Sequence, residues 1–224
     1  MSLMAGVDCE LGPLSMVPAA PVVYIVDDDI SVRESLELMI ISAGWQPQTF
    51  ASAQEFLSHT RILAPSCLIL DVNLPDLNGL ELQRRIVADR VGMPIIFLTG
   101  YGDVPTTVRA MKAGASEFLT KPFSDAVMLG AIRQAIERSG AALDEAAALQ
   151  ALQDRYASLS SREREVMTLV VSGLLNKQVG GQLGISEITV KAHRGQVMRK
   201  MQAGSFADLV HMSTKLNLPP ASRG

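Results

Sequence analysis

Short apolar runs alternate with amphipathic stretches from Pro21 to about Ser139, whereas from Ser160 onward the apolar spacing is helical throughout. The first region predicts strands at Val22–Val26, Gln46–Phe50, Cys67–Leu70, Pro94–Leu98 and Glu117–Leu119. Between them the spacing predicts helices at about 30–43, 52–59, 78–90, 104–113 and 124–138. Ser52 with Glu55 reads as a capping box, and Asp103 and Ser124 read as N-caps. Gly44 and Gly114 read as helix stops. Five strand–helix units of this length predict a doubly wound five-stranded parallel sheet with right-handed crossovers, in the flavodoxin-like order 2-1-3-4-5.

The second region predicts an all-α four-helix domain. Ser160 with Glu163 reads as a capping box opening a helix to about Ser172, and Gly173 stops it. Helices at about 176–183, 187–201 and 205–216 follow. The turn Gly184-Ile185-Ser186 between the second and third gives a helix-turn-helix signature. Residues 139–158 are Ala-rich and helical in propensity, with Leu149, Leu152, Tyr156 and Leu159 spaced 3-4-3. Two readings stay open for them: a connector helix packing on either domain, or a short seam between two copies. The expected organisation is a flexible lead-in over 1–20, an α/β domain over 21–138, a helical linker over 139–158, a helix-turn-helix domain over 159–218 and a tail over 219–224.

Charge separates along the same boundary. Residues 1–154 carry 10 Lys and Arg against 19 Asp and Glu, while residues 155–224 carry 10 against 4. An acidic module with a metal or kinase partner and a basic module with a polyanionic one fit this division. The 48% hydrophobic and 19% charged content of the 224 residues fits a globular protein. Cys9 and Cys67 offer neither a disulfide framework nor a zinc spacing, so a reducing cytoplasm is the natural setting. Pro13, Pro18 and Pro21 interrupt the uncharged stretch before Asp27, which argues against a membrane helix. No Lys or Arg precedes Arg33, so no secretory signal is expected.

The candidate chemistry lies at strand ends, where open parallel sheets bind ligands. Asp27-Asp28-Asp29 follow the first strand, Asp71 the third, Thr99 the fourth and Lys121 the fifth. The 2-1-3-4-5 order brings these distant groups together. Neighbouring carboxylates raise one another's pKa, and a divalent cation relieves that cost. Mg²⁺ suits such hard oxygens. Asp28 and Asp71 would ligate it directly with the backbone carbonyl of Asn73, and Asp27 through water. Asp71 would then accept a phosphoryl group, while Thr99 donates a hydrogen bond to it and Lys121 supplies fixed positive charge. A cis Lys121–Pro122 bond would turn the lysine head inward. Each group alone has a blander reading, as a cap, strand end or loop charge. Phe118 by default belongs to the core.

The stretches Val26-Asp27-Asp28-Asp29, Asp71 to Gly79, Thr99-Gly100 and Met111-Lys112-Ala113-Gly114-Ala115 through Lys121-Pro122-Phe123 resemble the receiver domain of two-component response regulators. The resemblance implies a phosphoryl group arriving on Asp71 from a sensor histidine kinase. It also implies a switch through Thr99 and Phe118 toward the fourth helix and fifth strand, a face that commonly dimerises. Leu159 to Val166, Gly173, Asn176-Lys177, Leu183 to Ser186, Thr189 to Arg194 and Lys200-Met201 resemble the NarL/LuxR-type DNA-binding domain. Together the two are similar to the FixJ-type regulators. By that resemblance the double-stranded DNA contacts fall on Asn176, Lys177, Thr189, Lys191, Ala192, His193, Arg194, Gly195 and Lys200, with Val190 in the core. The resemblance further implies RNA polymerase as a partner, and phosphorylation is expected to favour a homodimer on half-sites about one DNA turn apart. Gly180 stands where the family usually has Ala, and with Gly181 it loosens the second helix.

Two rivals remain. A phosphatase of the haloacid dehalogenase type also uses a strand-end Asp, but it needs a second carboxylate two residues on, where this chain has Asn73. Alternatively the C-terminal helices dock a protein, against which stands the basic charge grouped on one helix.

Overall fold

The computed structural model describes residues 20–60, 62–89, 92–100 and 104–218. The expected lead-in, the tail and the Asp103 cap therefore fall almost wholly outside the described residues. The chain divides into two compact units, with the division between Leu143 and Asp144.

The first unit holds β1 (Val22–Val26), α1 (Ile30–Ser42), β2 (Gln46–Phe50), α2 (Ala53–Ser58), β3 (Ser66–Asp71), α3 (Gly79–Asp89), β4 (Ile95–Thr99), α4 (Val104–Lys112), β5 (Glu117–Thr120) and the first part of α5 (Asp125–Ala157). The strands form a parallel sheet in the order β2-β1-β3-β4-β5, as the spacing predicts. β1, β3 and β4 are buried along their whole length because helices cover both faces. Tyr24, Leu68, Leu70 and Phe97 meet α2, α3 and α4 through Phe56, Leu82, Ile86 and Ala110. Val23, Ile25, Ile69, Ile96 and Leu98 face α1 and α5 through Leu36, Ile40, Met128 and Ile132. Cys67 belongs to this second core, and burial pushes its thiol up to about 12.

Helix ends follow local chemistry. Asp29 caps α1 by accepting from Ser31 N–H at 2.8 Å, and Ser52 accepts from Glu55 N–H at 3.2 Å. The return bond of that second cap differs from a capping box, since Glu55 accepts from Ala51 N–H rather than from the cap residue. Gly44 and Gly114 adopt φ of +82° and +91°, the left-handed conformation that closes a helix cheaply only for glycine.

The second unit takes up the rest of α5, then α6 (Ser161–Val171), α7 (Asn176–Leu183), α8 (Glu187–Met201) and α9 (Phe206–Lys215). Val166, Met167, Val170, Val179, Val190, Val197, Met201 and Leu209 form its core. The reciprocal Ser160–Glu163 capping box is present. The stretch expected as a helical linker is helical as far as Ala157, and α5 runs into it without a break after 138. Ser139 Oγ accepts from Ser66 N–H at 3.0 Å in the first unit, while Leu152, Tyr156 and Leu159 join the core of the second. Three members of the 3-4-3 stripe therefore pack within the second unit. Its first member, Leu149, is 39% exposed.

Candidate functional site

Adjacent β1 and β3 run in register, Val26 beside Leu70, so the residues following them share one edge. Asp27 and Asp71 are both buried there. Asp28 is exposed, yet one carboxylate oxygen from each of Asp27, Asp28 and Asp71 lies within 4.8 Å of the others. Lys121 enters from the end of β5, and its Nζ donates to Asp27 Oδ2 at 2.7 Å and to Asp71 Oδ2 at 2.8 Å. The Lys121–Pro122 peptide is cis. Asp71 Oδ1 accepts from Asn73 N–H at 2.9 Å, which orients the carboxylate. Thr99 is buried at the end of β4, on the strand next to β3.

The charges are held at a cost. Burial pushes the Asp27 carboxyl above its ordinary value of 3.8, with Lys121 and the Asp29 N–H pulling it part of the way back. Burial also works against the Lys121 charge, but the hydrogen bonds to Asp27 and Asp71 outweigh it and raise the ammonium's pKa. Three carboxylates around one ammonium leave an acidic surplus of oxygen ligands, a donor set suited to a hard divalent cation. Phe118 lies partly buried against Phe97, ring centroids 6.1 Å apart. It therefore packs on the core face that carries α4.

Three contributors lie beyond the candidates singled out from the sequence. Arg33 Nη1 donates to the carbonyls of Asp27 and Asp28 at 2.7 and 2.9 Å, fixing the acidic loop. Asp76 accepts from Ala53 and Gln54 N–H at 3.3 and 3.0 Å, tying the segment after Asp71 to the start of α2. Gly79 has no room for a side chain, since a Cβ there would lie 2.5 Å from the Asp71 carbonyl oxygen. The Asn-Gly pair at 78–79 was a readable signal for a constrained turn.

In the second unit α8 follows the α7 turn, where Gly184 adopts φ of +64°. Gly180, the departure from the usual Ala, lies against this turn, and a Cβ there would meet the Ile185 carbonyl oxygen at 2.7 Å. Lys177, Thr189, Lys191, Ala192 and Gly195 are exposed, and His193 is half-buried. Val190 is in the core as expected. Asn176 and Arg194 are engaged with each other, Arg194 Nη1 donating to Asn176 Oδ1 at 2.8 Å, and the guanidinium lies over Phe206 at 5.3 Å. Lys200, also expected at the interface, is engaged within its own unit. Its Nζ donates to buried Glu163 Oε2 at 2.6 Å and to the Ser158 carbonyl at 3.3 Å, clamping α8 to the start of α6. The Lys200 hydrogen bond holds the Glu163 carboxyl below its ordinary range.

An acidic strand-end pocket on a 2-1-3-4-5 sheet, followed by a helix-turn-helix unit, defines a two-part signalling protein. Residues 23–133 match the response regulator receiver domain, and residues 157–213 match the bacterial regulatory proteins of the luxR family. The chain is 47% identical to nodulation protein W of Bradyrhizobium diazoefficiens over 88% of this chain and 87% of that one. It is 40% identical to the transcriptional regulatory protein FixJ of the same species, over 88% and 96%. The response regulator StyR is similar in structure, with a TM-score of 0.80 at 45% identity, covering 88% of this chain and all of that one. Full-length FixJ from B. japonicum gives 0.53 at 39% identity, covering 90% and 99%. The chain belongs to the response regulators that join a receiver domain to a LuxR-family DNA-binding domain. These are regulators of transcription rather than enzymes, and the two domains imply a kinase phosphodonor and DNA as partners. Among the described residues no helix is long and apolar enough to cross a membrane.

Proposed function

We propose that Asp71 accepts a phosphoryl group from a sensor histidine kinase, and that the phosphorylated chain dimerises on DNA to regulate transcription in the cytoplasm, acting there on RNA polymerase. The observation that carries this is the Lys121 ammonium 2.8 Å from Asp71 Oδ2 inside a pocket of three carboxylates. Asp28, Asp71 and the Asn73 carbonyl would hold Mg²⁺, with Asp27 reached through water. When bound, the ion neutralises charge on the phosphoryl oxygens.

Asp71 forms a bond to phosphorus as the bond from phosphorus to the donor imidazole nitrogen breaks, the electron pair leaving with the imidazole. Asn73 N–H holds one carboxylate oxygen and Lys121 the other, so the nucleophile arrives oriented. Lys121 then follows the charge onto the phosphoryl oxygens, and the buried Thr99 hydroxyl donates to one of them. Thr99 turning toward the phosphoryl group makes room for Phe118, whose ring already packs beside Phe97. The exposed α4 stripe of Val104, Val108 and Met111 supports dimerisation on that face. Lys177, Thr189, Lys191, Ala192, His193 and Gly195 form the DNA-facing set, with Asn176 and Arg194 acting as a braced pair.

Labelling by acetyl phosphate tests the site. Asp71→Asn is expected to abolish it, and chelating divalent ions is expected to stop it while helical content persists; stable labelling of the variant would refute the assignment. A shift assay across salt tests the output, since DNA affinity falls steeply as salt rises.

A further inference from the structure

Helix α8 presents a surface unlike a typical polar DNA-reading face. Ile188 is 80% exposed. Ala192 and Gly195, four and seven residues on, lie exposed on the same side of the helix. Nothing lies within 4 Å of where a Cβ at Gly195 would be. The polar neighbours are drawn to local partners. Lys191 Nζ lies 3.5 Å from Glu187 Oε1, Thr189 Oγ1 is 2.8 Å from Ser186 Oγ, and Arg199 donates to Gln196.

One exposed isoleucine is ordinary on a protein surface. An isoleucine, an alanine and a bare glycine in line along the helix expected to enter the major groove are a different matter. They leave a strip of low relief that offers no side-chain hydrogen bond. Exposed at that level, Ile188 gains free energy only by meeting apolar matter. The apolar group that a base edge displays in the major groove is the C5-methyl of thymine.

We propose that Ile188 is a specificity-determining residue that reads a thymine methyl, with Ala192 beside it and Gly195 letting the helix backbone approach the bases. This rests on the DNA-binding reading of α8. Lys191 and Lys177 would supply phosphate affinity, and the Ile188 strip the preference for thymine.

The test begins with the full chain treated with acetyl phosphate and used to select duplexes from a randomised pool. Each thymine of the enriched duplex is then replaced singly by deoxyuridine, which removes only the methyl group. One position per half-site is expected to lose about fourfold in affinity, the worth of a single buried methyl. That penalty is expected to vanish in Ile188→Ser and to persist in Ile188→Val; both changes are at an exposed position and leave the core intact. Indifference of the wild type to every replacement would overturn the proposal, as would an undiminished penalty in Ile188→Ser, which would assign the exposed isoleucine to a protein partner instead. A selection that enriches no duplex would remove the DNA-binding reading itself, and this proposal with it.

Discussion

Replacing Lys121 with Met removes the ammonium that contacts Asp27 and Asp71 while keeping an unbranched stem. Removing one partner of a buried ion pair costs about 3–5 kcal/mol. The Lys121 side chain is 23% exposed, so solvent screens part of the interaction. A loss of about 2 kcal/mol in receiver stability is therefore expected at neutral pH without divalent ions. Trp45 makes the measurement specific. It is the only tryptophan and packs against the α1 and α5 face of the sheet, so its fluorescence under urea reports the receiver unit alone.

The pH dependence separates charge from packing. Burial raises Asp27 above its ordinary 3.8, and Lys121 limits that rise, so Lys121→Met lets it climb further. A carboxyl with a raised folded-state pKa binds its proton more tightly folded than unfolded. Its contribution is fully present below 3.8 and is lost as pH climbs through the folded value. The variant loses more across that window than the wild type, so its deficit is smallest at the acid end and full at neutral pH. Added Mg²⁺ should narrow the neutral deficit, because it replaces the missing charge. A deficit of constant size at every pH would refute this reasoning and assign the loss to packing of the lysine stem.

Gly79→Ala drives a Cβ toward the Asp71 carbonyl oxygen, so receiver stability should fall by about 1–3 kcal/mol and acetyl phosphate labelling should slow; an unchanged Trp45 midpoint would show that the approach is not tight. Leu152→Ala empties a buried position in the second unit's core and should cost about 2–4 kcal/mol there, seen as an earlier helical transition by circular dichroism, with the Trp45 transition unmoved. Lys191→Ala should weaken DNA binding and lower the salt slope by about one, whereas Lys200→Ala should leave the slope intact and lower the stability of the output helices by about 1 kcal/mol. The reverse pattern would exchange the roles of the two lysines.

The sheet order and most element bounds were legible because each has a local cause: fully apolar central strands, glycines at stops and hydroxyls at starts. The convergence of Asp27, Asp71 and Lys121 was legible through topology. The extent of α5 was not, because an Ala-rich run without proline carries no mark of where one core ends and the next begins. The Lys200 clamp was hidden for a different reason: its partners, Glu163 and the Ser158 carbonyl, stand 37 and 42 residues back in the chain, so no spacing along α8 announces them. Arg33 was hidden because its partners are backbone carbonyls, which every residue possesses.

Local rules and overall structure agree through most of the chain, and the disagreements are informative. Three carboxylates lie within 4.8 Å of one another with Asp27 and Asp71 buried, and Ile188 heads the exposed apolar strip along α8. Neither feature serves the core of its own unit. Binding would relieve both, since a ligand that binds the folded state alone stabilises it by mass action. The acidic pocket is satisfied by a cation and the isoleucine by an apolar surface. The two therefore make opposite demands on solution conditions: high salt should weaken the phosphate contacts of α8 while leaving the deoxyuridine penalty at the Ile188 position nearly unchanged, because methyl burial carries no counterion term.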